Sequence, residues 1–130
     1  MRTFWAVAAG AALGGVARYY LSSAVQHRFG AGFPWGTLLI NVSGSLLLGF
    51  IVRYASATMV SPELRLLLTV GFCGGYTTFS TYSFETAALL EDGQYSRAGA
   101  YAFGSVVIAL AGTFGGFVLA RELIALRERV

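Results

Sequence analysis

Few side chains in this 130-residue sequence are able to do chemistry, and they fall inside stretches that are otherwise apolar. Asn41 stands in Leu38-Leu39-Ile40-Asn41-Val42-Ser43-Gly44, where its amide offers two N–H donors to an anion or, equally, an interhelical hydrogen bond. The segment Gly71-Phe72-Cys73-Gly74-Gly75-Tyr76-Thr77-Thr78-Phe79-Ser80-Thr81-Tyr82 passes from glycines to hydroxyls. That composition disfavours an unbroken helix and predicts a break, whose freed carbonyls suit a cation as in discontinuous transporter helices. Phe79 and Tyr82 share one face at i and i+3. Their electropositive ring edges touch a small anion without supplying a charge that traps it, although core packing produces the same spacing. Tyr101, Ser105 and Thr113 fall at i, i+4 and i+12, with Ala109 in the i+8 place. Such hydroxyls either line a narrow polar path or bond their own helix carbonyls.

Arg18 and Glu85 are the ionisable groups set furthest from loops, where pairing with a partner or, for the arginine, snorkelling to the interface is the ordinary role. His27 lies in a loop and Cys73 is a lone small apolar residue, so neither receives a role. No catalytic triad, phosphate loop or metal-ligand cluster is present, which points away from an enzyme.

The elements that hold these residues are set by composition. The chain is 56% hydrophobic and 12% charged, against about 45–50% and about 25% for a soluble domain, so the expectation is an all-α membrane protein. At about 20 residues per crossing, four helices fit and a fifth leaves no room for turns. They are expected at about 3–25, 36–59, 62–90 and 96–126, in one transmembrane domain over residues 1–130. The first run is followed by three more, so it reads as a retained span and not a cleaved leader. The patch Gln26-His27-Arg28-Phe29-Gly30 begins the first turn, Ser61-Pro62-Glu63 supplies a cap, an N1 proline and an acidic first turn, and Glu91-Asp92-Gly93-Gln94 makes the last turn. All nine basic residues are arginines scattered between apolar runs, which excludes a nucleic-acid surface. One cysteine cannot make a disulfide scaffold.

Small residues at Gly10 and Gly14, and at Ala100, Gly104, Gly112, Gly116 and Ala120, predict close helix packing that includes a second subunit. Four spans put Arg2, Arg53, Arg65, Arg121, Arg127 and Arg129 on one side and Arg18, Arg28 and Arg97 on the other, a mild bias towards termini inside.

Three of these segments, Gly14-Gly15-Val16-Ala17-Arg18-Tyr19, the Asn41 stretch from Gly36 to Gly44, and the 71–81 segment with Glu85, resemble the signatures of the Fluc fluoride channels, also called CrcB proteins. The resemblance covers all four helices and implies a dual-topology antiparallel homodimer in the plasma (inner) membrane. It implies two pores that export fluoride passively and a structural sodium ion at the dimer interface. Carried over residue by residue, it makes Asn41 the pore asparagine and Phe79 the first phenylalanine of an aromatic box. Tyr82 stands where the second phenylalanine is found. Tyr101, Ser105 and Thr113 become a hydroxyl track in which Ala109 replaces a serine. The carbonyls of Gly74 and Thr77 would hold the sodium, and Arg18 and Glu85 are structural or gating candidates.

A small proton-coupled multidrug exporter is the alternative, but its chemistry needs a carboxylate deep in the first helix, which here carries only Arg18. A noncatalytic membrane subunit would explain the glycines and leave the glycine- and hydroxyl-rich third run without a purpose.

Overall fold

A computed structural model describes residues 1–129, and these form helices and short turns with no strand among them. Helix α1 is Arg2–Phe29 and α2 is Trp35–Ala57. The third segment opens with α3, Pro62–Leu66, widens into the π-helical stretch Leu67–Cys73, and closes with α4, Gly74–Tyr76. Thr77 and Thr78 are extended, with ψ of 158° and 119°, and α5, Phe79–Glu91, follows. Helix α6 is Tyr95–Glu128.

The caps match the chemistry of the sequence. Ser61 accepts from Leu64 N at 3.3 Å and Pro62 occupies the first helical position, where a missing N–H costs nothing. Gly93, with φ of 72°, closes α5 by donating to Leu90 O at 3.0 Å while Gln94 N reaches Leu89 O at 2.9 Å. The largest boundary difference from expectation is the end of α1. Residues 26–29 belong to α1 because Gln26 turns its amide onto the loop, donating to the Gly30 and Phe33 carbonyls and accepting from Gly36 N at 3.2 Å. The turn therefore begins at Gly30, whose φ of 86° suits glycine.

Glycines set the helix spacing. A methyl at Gly10 would sit 2.8 Å from Phe72 N and 2.9 Å from Gly71 Cα, so α1 lies backbone against backbone on the third segment. A methyl at Gly116 would sit 2.6 Å from Phe50 N, which fixes α6 equally close to α2. The small-residue stripe of α6 divides between two faces. Gly112, Gly116 and Ala120 pack inward, whereas Ala100 is exposed and a methyl at Gly104 would meet nothing within 4 Å. Each four-residue step advances about 40° around a helix of 3.6 residues per turn, so a stripe at that spacing winds off any one face.

Burial departs from that of a soluble domain chiefly in how much apolar surface faces outwards. Thr37, Thr78 and Ser105 are buried, while Phe103, Phe84 and Phe114 are 79%, 74% and 64% exposed. Large apolar side chains facing outwards around small and polar ones suit a lipid solvent. By length and hydropathy α2 and α6 each suffice to cross a membrane. Helix α1 is long enough at 28 residues, but glycine, alanine and Arg18 dilute its hydropathy, and the third segment is divided into shorter pieces.

Candidate functional site beside the interruption of the third segment

Asn41 reaches across from α2 to the extended pair and meets Thr78 twice. Its Nδ2 donates to Thr78 O at 3.0 Å and its Oδ1 accepts from Thr78 N at 2.7 Å. In a continuous helix Thr78 N would bond to Gly74 O, four residues back, so this side chain takes the donor that Gly74 loses. Thr78 repeats the substitution one turn later. Its Oγ1 accepts from Thr81 N at 3.2 Å, the donor that would otherwise serve Thr77 O. Thr77 turns its own hydroxyl back to Cys73 O at 2.9 Å. Two side-chain caps therefore stabilise the interruption and remove the ordinary helical donors of Gly74 O and Thr77 O.

Beside the interruption lies a groove of about 250 Å³ whose walls include Asn41, Thr78, Phe79, Tyr82, Ser105 and Ala109, with no ionisable carboxylate, amine or guanidinium among the lining residues. Asn41 spends one of its two N–H groups on Thr78 and keeps the other. Ser105 Oγ is buried without a hydrogen-bond partner in the chain. An unpaired buried hydroxyl costs about 1–3 kcal/mol, and Ser105 is among the residues that line this groove. Phe79 and Tyr82 stand side by side with ring centroids 5.4 Å apart and planes inclined by 40°. Phe79 is 77% exposed, whereas Tyr82 is tethered by its hydroxyl to Ala102 O of α6 at 3.0 Å.

Tyr101 lies behind this wall, fully buried, with its ring 5.4 Å from Tyr82 and its hydroxyl donating to Glu85 Oε2 at 2.6 Å. Thr37 donates to the other carboxylate oxygen at 2.8 Å. Glu85 is thus held by two hydroxyls, not by Arg18, which is half-buried on α1. Thr37 and Glu85 also line a second hollow of about 380 Å³ beneath the first turn, so Tyr101 bridges from its wall to that of the groove.

The structure thus brings together Asn41, Phe79, Tyr82 and Ser105, with Thr77 in the same wall and Tyr101 and Glu85 one layer behind. Gly74 is exposed and does not line the groove, and a methyl there would meet only Thr69 O, at 3.9 Å. Thr113 is outside the groove and donates to Ala109 O of its own helix at 3.2 Å. The winding that splits the glycine stripe separates it from Tyr101, since twelve residues rotate a helix position by about 120°. Two contributors were missed from sequence. Thr78 is a serine/threonine-type N-cap directly before Phe79, and Thr37 stands four residues before Asn41 on the same helix face, so both signals were present.

Helices packed through glycine, apolar outside, around a groove lined by no carboxylate, amine or guanidinium define a helical membrane protein. The chain belongs to the CrcB family: the family model described as "CrcB-like protein, Camphor Resistance (CrcB)" matches residues 5–117. A Geobacter sulfurreducens protein named fluoride-specific ion channel FluC is 49% identical over 124 residues, covering 95% of this chain and 100% of the relative. Relatives of the same name from Thermus thermophilus and Chlorobaculum tepidum are 46% and 48% identical, covering 95% and 93% of this chain and 99% and 96% of their own lengths.

Proposed function

We propose that this chain is a fluoride-selective channel that lets fluoride leave the cytoplasm passively across the plasma membrane. The observation that carries the reading is the buried Ser105 hydroxyl, without a partner in the chain, in a groove that also presents the Asn41 amide and the Phe79 and Tyr82 rings and no fixed charge. Fluoride is small and strongly hydrated, so it enters a narrow path only where hard N–H and O–H donors replace its water. Ring edges add positive potential without the deep well that a guanidinium would create, and an ion must bind weakly enough to leave. The relatives' names agree with this reading. Ser105 forms the α6 side of the path, with Tyr101 buried behind it and Glu85 and Arg18 in structural or gating roles.

The working unit is an antiparallel homodimer of four-span chains inserted in both orientations, with a sodium ion between the two copies of the interruption. The donor set fits: Gly74 O and Thr77 O are hard oxygens whose helical N–H partners are engaged by Asn41 and Thr78. Two such carbonyls from each chain would supply four ligands, and the ion's chemistry is to hold these carbonyls together. Purified protein in liposomes under a potassium clamp tests the function. Rapid fluoride efflux with negligible chloride efflux is expected, and equal rates for the two ions would refute selective conduction.

A further inference from the structure

Two arginines come together where α2 and α6 end. These helices run side by side in the same direction, with Gly49 against Thr113 and Gly116 against Phe50, so Arg53 and Arg121 arrive at the same end. Together with Ser56, Ala57 and Ile124 they line a hollow of about 260 Å³ that has no carboxylate among its lining residues. Ser56 donates its proton to Val52 O at 2.7 Å, which leaves the two guanidinium groups as the side-chain donors. The adjoining hollow shares Ala57 and Ile124 and carries both Arg127 and Glu128, so it lacks this uniform sign.

Depth decides what such a hollow meets. Helix α2 begins at Trp35, an interface residue type, and at 1.5 Å per residue about 20 residues use up a hydrocarbon core of about 30 Å. Arg53 and Arg121 therefore lie at the opposite boundary, at the level of lipid phosphates. We propose that this hollow binds the phosphate of an anionic membrane lipid, with Arg53 and Arg121 holding its oxygens from two helices and Ala57 and Ile124 covering the apolar part next to it. Arginine forks match phosphate oxygens, and two forks on separate helices favour one bound headgroup over a diffuse cloud of lipids. Free inorganic phosphate offers the same oxygens but nothing for the apolar wall.

Native mass spectrometry of the detergent-purified full chain, titrated with phosphatidylglycerol or phosphatidylcholine, tests this without reference to conduction. Each arginine near an anionic lipid contributes about fivefold in affinity, so phosphatidylglycerol should be retained about thirtyfold better by the wild-type chain than by Arg53→Gln/Arg121→Gln. Arg121→Gln alone should lose about fivefold, and it carries the test if size-exclusion chromatography shows the double variant to be misfolded. Equal retention by wild type and Arg121→Gln, or equal retention of the two lipids by the wild type, would overturn the proposal. Displacement of the lipid by millimolar inorganic phosphate would also overturn it, by assigning the hollow to the free anion.

Discussion

Replacing Asn41 by aspartate keeps size and shape and reverses half of what the amide does. The variant still accepts from Thr78 N, which the wild-type Oδ1 meets at 2.7 Å, but when ionised it has nothing to donate to Thr78 O, 3.0 Å from Nδ2. Leaving that carbonyl facing a second oxygen costs about 1–3 kcal/mol of stability, so the chain should fold with a lowered melting temperature. The effect on conduction is larger. A carboxylate about 5 Å from a passing anion, at an effective dielectric constant of about 20, raises its energy by about 3 kcal/mol, which corresponds to a fall of at least about a hundredfold in rate. Fluoride efflux from liposomes at neutral pH should show that loss while size-exclusion chromatography shows an unchanged oligomer. Acidification restores a proton and with it a donor, so the loss should shrink as pH falls. Wild-type efflux at every pH would leave Asn41 as a strut of the interruption and remove it from the pathway.

Ser105→Ala removes a buried hydroxyl that has no partner in the chain, so the melting temperature should hold or rise while fluoride efflux falls about tenfold, at a barrier cost of about 1.4 kcal/mol; a stability loss with unchanged efflux would show that the hydroxyl is structural. Tyr82→Phe breaks the tether to Ala102 O but keeps the ring, so stability measured by thermal unfolding should drop by about 1 kcal/mol with selectivity over chloride intact. Thr78→Val removes the cap on Thr81 N and allows that donor to return to Thr77 O, so sodium should no longer strengthen dimerisation relative to N-methylglucamine when dimer fractions are compared by chromatography. Gly10→Ala pushes a methyl into the backbone of Gly71 and Phe72 and should cost about 1–3 kcal/mol of stability, read as a lowered melting temperature.

Composition was enough to read the solvent, because a chain this apolar must bury its backbone polar groups in helices and expose its phenylalanines to lipid. Caps and turns were legible for the same local reason: Ser61 with Pro62, and Gly93, act within a few residues of themselves. The groove was legible as residue types, not as an arrangement. Asn41 could be read as a donor or as interhelical glue, and it has one N–H committed to Thr78 and a second left over. The partnership of Glu85 with Thr37 and Tyr101 joins positions 48 and 16 residues apart, and nothing local encodes it. Four-residue spacing misled for a geometric reason, since it describes a face for two or three steps and then leaves it, as Thr113 and Gly104 both do.

Selective fluoride conduction can be read from the reversal potential of the current through the reconstituted protein in a planar bilayer, with opposed fluoride and chloride gradients. The current should reverse at the fluoride equilibrium potential and should not move when chloride alone is changed. A reversal potential that follows chloride, or one that lies midway between the two ions, would contradict it.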